Sequence, residues 1–324
     1  MIVKNEEAVL ARCLDSAAGL YDELIIIDTG SQDKTIDVAL EYDAKVLHYE
    51  WVYPGNKAEA RNLGIENAVS QWIVVLDADE VIVNPAGLRK ILSTFADFDA
   101  ISVQFNNFIG DVVNLSWRQI RIFRNGAFTY KYREHEVPIA KLENPRIASP
   151  ELVFEHRTPE GRDGKSEAML ARLALDVEEN PNDPHPLYFY HRQCLHESDN
   201  ERAIQLGRQY LELTKTGGFI KAEVYGNLAI AYQRMGDMAR ATEALYMALC
   251  CEPKQREWWF RLGALYVDCR EYNLALAVLR AAAELLPAHT RQWEPQTTAK
   301  IYQLIEHCQH QQMHTLAHSH EGQS

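Results

Sequence analysis

Two acids one residue apart, Asp77 and Asp79, follow directly on the apolar run WIVVL (72–76), and a third, Glu80, comes next. Two hard anionic oxygens with a small residue between them suit Mg²⁺ or Mn²⁺, which binds through few protein carboxylates plus phosphates and water. Extended residues at i and i+2 face the same side, so both carboxylates are expected to enter one crevice, with Glu80 left to the turn. An acidic turn capping a helix from Asn84 would use the same residues. A second acid-tipped run is IIIDTGSQDKT (25–35), where Gly30 permits a tight turn and Ser31 or Asp33 can cap the next helix. Asp28 there has the chemistry to accept from a nucleobase N–H or a ribose hydroxyl, or to serve only as a polar turn residue. In NKAEARNLGIENA (56–68), Lys57 and Arg61 stand one turn apart on one helix face. A guanidinium at that place would bond a phosphate or base; the alternative is a solvated face paired with Glu59 or Glu66.

The elements around these residues explain why they would meet. ELIIID (23–28), AKVLHY (44–49) and WIVVLD (72–77) are strand-like. The segments around Leu10–Ala17, Ile36–Leu40 and Ala58–Ile65 have helical spacing. Strand–helix–strand alternation with short loops implies parallel strands and right-handed crossovers, and ligands bind beyond the carboxyl ends of such strands. Asp28 and Asp77 both fall at such ends. From 97 to 156 the runs AISVQFNNF, QIRIFRN, AFTYKY and ELVFEH predict mixed or antiparallel sheet. TPEGRDG (158–164) then breaks the pattern as a linker or a lid.

From Lys165 onward the chain reads as helical and carries an internal repeat. Tyr225, Leu228, Ala229, Tyr232, Ala241, Leu245, Ala248 and Pro253 return 34 residues later as Trp259, Leu262, Gly263, Tyr266, Ala275, Leu279, Ala282 and Pro287. This is the tetratricopeptide pattern of small and aromatic residues between paired helices. Tyr188 to Tyr210 reads as a degenerate earlier repeat, and the residues after Trp293 as a capping helix. The expected division is 1–160, 165–310 and a disordered tail, 311–324.

The formal charge of −13 argues against a generally nucleic-acid- or anionic-membrane-binding surface. Six cysteines without a CxxC pair read as small buried residues in a reducing compartment, and no run approaches a membrane span, so a cytoplasmic protein is expected.

MIVKNEE, IIIDTGSQDKT, ARN and WIVVLDADE together resemble the nucleotide-binding half of family 2 glycosyltransferases with the GT-A fold. With the trailing repeats they resemble in particular the branch that includes bacterial peptide S-glycosyltransferases of the sublancin type. The resemblance covers residues 1 to about 160. It implies that Asp28 holds the nucleoside of a sugar-nucleotide donor, UDP-linked by expectation, with Asn5 and Glu6 near the base. It further implies Asp77 near ribose and metal, Asp79 on the metal bridging the diphosphate, and Arg61 near the nucleotide. The stretch YREHEVPI stands where such chains carry an acidic base, which nominates Glu136 and His135. His156 falls where many GT-A enzymes complete the metal or diphosphate site; a satisfied core histidine is the alternative. Members usually have several residues before MIVKNEE, so a clipped first strand is expected.

The expected reaction is inverting transfer of a sugar, with Glu136 or His135 taking the acceptor's proton and Arg162 and Lys165 closing over the diphosphate. The rival reading is a non-catalytic tetratricopeptide scaffold with a nucleotide-sugar-binding domain; nucleotidyl transfer would need a Gly-rich phosphate loop that is missing after the first strand. Peptide, lipid-linked glycan, lipopolysaccharide core and modified nucleobase all remain open as acceptors. The repeats are expected to bind an acceptor-bearing partner, to pair two copies of the chain, or to buttress the first domain.

Overall fold

The structure, a computed structural model, describes residues 1–110, 112–157, 166–215, 217–285 and 297–321. It divides into two compact units, Met1–Asp176 and Val177–Ser324.

The first unit opens with three parallel strands, β1 (Ile2–Val3), β2 (Ile25–Asp28) and β3 (Lys45–His48), in that spatial order. Between them run α1 (Leu10–Ser16) and α2 (Thr35–Glu41). Leu10, Cys13 and Leu14, at i, i+3 and i+4, are the buried stripe of α1. Register places Val3 beside Asp28 and Asp28 beside His48, so the carboxyl edge of this sheet carries the acid. Helix α3 (Lys57–Glu66) starts at Asn56, whose carboxamide oxygen accepts the Glu59 amide at 3.2 Å. It lies close on β2, since a Cβ on Gly64 would touch Ile27 at 3.4 Å.

A second, mixed sheet is built from β4 (Trp72–Val74), β5 (Glu80–Ile82), β6 (Ala100–Ile109), β7 (Val112–Arg124), β10 (Ile147–Ala148) and β11 (Val153–Arg157). Its order is β4-β7-β6-β11-β5, with β10 beside β6. Helix α4 (Leu88–Thr94) precedes β6, and β8 (Phe128–Lys131) with β9 (Val137–Ala140) makes a separate antiparallel ribbon. Strand β4 is shorter than its apolar run. It stops at Val74, a last bridge from the Val75 amide to Arg121 (2.8 Å) follows, and Glu80 N–H donates to the Asp77 carbonyl to close a turn (3.0 Å). Asp77 and Asp79 therefore sit in a turn, and the alternation expected of an extended segment does not apply to them.

Helix α5 (Ser166–Glu179) spans the division between the units, which falls later than the expected linker. The cause is ionic: Arg172 donates to Glu134 Oε2 and to the Pro54 carbonyl (both 2.7 Å), while the Asp176 carboxylate accepts the amides of Arg133 (2.8 Å) and Glu134 (3.1 Å).

The second unit is a run of helices: α6 (Pro184–His196), α7 (Asn200–Leu213), α8 (Phe219–Arg234), α9 (Met238–Cys251), α10 (Arg256–Asp268), α11 (Tyr272–Glu284) and α12 (Thr297–Glu321). Asp199 and Asp237 cap the second helix of successive pairs, accepting the Arg202 and Arg240 amides. Gly226 admits Trp258, whose ring would lie 2.2 Å from a Cβ there. The degenerate first repeat follows the same logic. The bulky His191 occupies the interface, and Gly207 makes room for it, a Cβ there meeting the ring at 2.9 Å. Residues 311–321, expected to be disordered, continue α12. Gln311 to Glu321 holds no Gly or Pro, and Ile301 and Cys308, seven apart and fully buried, anchor the same helix upstream. Among the cysteines, all free, Cys13, Cys194 and Cys308 are buried but Cys250 and Cys269 are exposed, which corrects the expectation for those two. No described helix is long and apolar enough to cross a membrane.

His191 gives the second unit a pH dependence. Its Nδ1–H donates to the Ala203 carbonyl at 2.7 Å, Nε2 is buried without a partner, and burial lowers its pKa to about 4. Unfolded chain takes up this proton near 6.5 but the folded unit does not, so stability is full above 6.5 and falls as pH drops towards 4. Over that window the loss is on the order of 3 kcal/mol. Calorimetric melting of the full chain at pH 7.5 and pH 5 should show this transition drop, and His191→Gln should flatten the dependence.

Candidate active site

Asp28 is 3% exposed and ends β2. Burial acts to raise its pKa, but bonds from the Ser31 side chain and amide, the Gly30 amide and His48 outweigh it, so the carboxyl stays below its ordinary range. The amide donors lie at 3.0 Å (Ser31) and 3.1 Å (Gly30), and His48 Nδ1 is 3.5 Å away. The β2–α2 loop behind it is braced by the amino-terminal segment. Asn5, in the left-handed region at φ 56°, donates its amide to Ser31 Oγ (3.0 Å) and accepts the Gln32 amide on Oδ1 (2.8 Å). Glu6 N–H donates to Thr35 Oγ1 at 2.7 Å. Asn5 and Glu6 thus stand against the loop that carries Asp28, with the Asn5 carboxamide oxygen engaged there.

Asp77 is held by two arginines. Arg61 Nη2 donates to Oδ1 at 2.7 Å, and Arg121 on β7 approaches Oδ2 at 3.4 Å. Burial acts to raise the Asp77 pKa, and the two guanidinium groups override it, keeping the carboxylate ionised well below its usual range. Arg121 also donates to Glu80 Oε1 at 2.5 Å, and Glu80 Oε2 accepts the Asp77 amide at 3.0 Å. Glu80, 1% exposed, is therefore a buried brace for Asp77 and more than a turn residue.

Asp79 looks elsewhere. Its Oδ2 lies 3.0 Å from His156 Nε2, and His156 Nδ1 is 2.9 Å from Asn107 Oδ1. The pairing of β11 between β5 and β6 sets this contact, placing His156 opposite Glu80 on one side and Asn107 on the other. The Asp79–His156 pair, joined at 3.0 Å, offers one carboxylate oxygen and one imidazole nitrogen, a donor set that would hold a divalent cation. Among the described residues no group of three His, Cys, Asp or Glu is placed to hold a metal ion.

Arg61 continues to Glu136, donating from Nε to Oε1 at 2.7 Å. It is buried, and its Nη1 has no partner. Glu136 is 9% exposed, while its neighbour His135 is exposed and held at φ 53°. Such strained backbone persists where surroundings over-determine it and clusters at functional sites. Glu134, by contrast, is locked between Lys57 and Arg172. Lys57 therefore serves that buried pair, and Glu59 bonds Tyr49 Oη instead (2.8 Å). A cleft of about 370 Å³ lined by Ile25, Ile27, Trp72, Ile73 and Val75 is reached by Arg61 but by none of Asp28, Asp77, Asp79 or His156.

Residues 1–152, which hold the acid-tipped parallel half-sheet and the acid turn but not His156, match the model described as glycosyl transferase family 2. The first unit carries a family 2 glycosyltransferase domain. That domain, of the glycosyltransferase type, is followed by helices at the tetratricopeptide period. A TPR repeat-containing protein of Synechococcus elongatus is similar over 306 residues at 29% identity, covering 89% of this chain and 75% of that one. The glycosyltransferase SunS of Bacillus subtilis is similar at 26% identity over 84% of this chain; the match spans 61% of that protein, under two thirds of its length. Among solved structures, MamA is similar at 17% identity and a TM-score of 0.37, covering 45% of this chain and 83% of that one.

Within the transferase domain the structure brings together Asp77 with Arg61 and Glu136, and Asp79 with His156. Arg162 and Lys165 lie outside the described residues. Sequence reading missed Arg121, Glu80 and Asn107. For Arg121 a signal existed: QIRIFRN sets an arginine between Ile120 and Ile122 in a run otherwise fit for the core.

Proposed function

We propose that the transferase domain moves a sugar from a nucleoside diphosphate, UDP by preference, to an acceptor nucleophile with inversion at the anomeric carbon. The observation that carries this reading is the Asp79–His156 pair at 3.0 Å, beside an Asp77 fixed by Arg61 and Arg121. Asp28 is assigned to the nucleoside, Asp77 to the ribose side, and Asp79 with His156 to a divalent cation. Such a cation, when bound, supplies Lewis-acid neutralisation of charge on the departing diphosphate. Glu136 is the proposed base: Arg61 engages Oε1 and holds the carboxylate in one orientation, leaving Oε2 to take the acceptor's proton. Exposed His135 is the second candidate.

A donor screen by UDP release tests this. Release should require Mn²⁺ or Mg²⁺ and stop with EDTA. Tight UDP-sugar binding with no release under any acceptor mixture would favour a scaffold; release undiminished by EDTA would refute the cation assignment. The repeats offer stacked helix pairs suited to a polypeptide partner, and we assign them that role.

A further inference from the structure

We infer that Arg121 is a positioning residue for the donor site, an inference resting on the assignment of Asp77 to the donor. Arg121 is 11% exposed on its side chain. Its Nη1 and Nη2 both reach Asp77 Oδ2 (3.4 Å), and Nη2 donates to Glu80 Oε1 (2.5 Å). Glu80 returns to the same residue by accepting the Asp77 amide (3.0 Å). The Arg121 carbonyl accepts the Val75 amide at 2.8 Å, the last bridge before the chain turns toward Asp77. The guanidinium also lies over the Phe105 ring, 5.2 Å from its centroid, which fixes the plane of the fork. One strand residue thus ends the ladder, clamps the Asp77 carboxylate opposite Arg61, and orients the acid that holds the Asp77 backbone. Losing such an outer partner typically costs about 10–100-fold in affinity or activity.

A lysine keeps the charge but loses the planar fork. Arg121→Lys should therefore weaken UDP binding in the presence of Mn²⁺ by about 10-fold or more. It should raise the donor KM while the thermal midpoint stays close to that of the parent chain. Calorimetry with UDP and Mn²⁺, donor-dependent kinetics and thermal melting are measured in parallel. Should Arg121→Lys fail to fold, Glu80→Gln keeps side-chain size and weakens the anchor of the fork, and it should weaken UDP binding in the same direction. A folded Arg121→Lys, or in its place Glu80→Gln, with parental UDP affinity and KM would overturn the inference. Asp77→Asn separates the two levels. If it leaves UDP affinity unchanged, the donor assignment itself is wrong; if it weakens UDP while Arg121→Lys does not, only the role of Arg121 falls.

Discussion

Asp79→Ala is expected to lower sugar transfer by about 10³-fold while leaving the domain folded, since cation assistance supplies several kcal/mol of charge stabilisation. The side chain meets His156 at 3.0 Å, and the Asp79 carbonyl keeps its bond from Arg157 N–H at 3.2 Å whatever the side chain. Removing the carboxylate leaves His156 still fixed by Asn107 at 2.9 Å, so the turn has no reason to collapse. UDP release titrated with Mn²⁺ should show a lost or greatly right-shifted response. Parental activity with unchanged Mn²⁺ dependence would exclude Asp79 from the site.

Glu136→Gln is the second large effect, about 10²–10⁴-fold on kcat, the usual worth of general-base assistance. Glutamine retains an oxygen that can accept from Arg61 Nε, now 2.7 Å from Oε1, so Arg61 need not be left beside a buried void. It has no site for the acceptor's proton. Donor KM and thermal stability should change little, which separates this variant from Arg121→Lys. A kcat within tenfold of the parent would move the base to His135, and His135→Gln measured alongside would then show the larger loss.

The sequence and the structure agree where the signal is local. The 34-residue period places the helix pairs, because that pattern belongs to single elements, but the shared parallel edge expected for Asp28 and Asp77 is not formed: β2 lies in the three-stranded sheet and β4 pairs antiparallel with β7 in the other. Sequence and structure part where a contact depends on strands far apart in the chain. The Asp77–Asp79 spacing suggested a shared crevice, yet β4 ends at Val74 and the acids turn to different partners. His156 reaches Asp79 only through the β5–β11 register, and Arg121 reaches Asp77 only through β7 beside β4. The expected linker gave no hint that Arg172 and Asp176 tie α5 to Glu134 and Arg133, since ion pairs across 38 to 43 residues leave no local pattern. Polarity alone marks 311–324 as a tail, yet residues 311–321 continue α12, since an uninterrupted helix needs no apolar stripe at its end.

Arg61 serves two carboxylates at once, Asp77, which we assign to the donor, and Glu136, which we assign to the acceptor. A cation shared this way makes its two anions compete, and competition of this kind is thermodynamically reciprocal. A donor that shifts Arg61 should change acceptor affinity by the same factor by which the acceptor changes donor affinity. The two substrates are thus expected to bind non-independently, with a cooperativity factor that vanishes once this one guanidinium is removed.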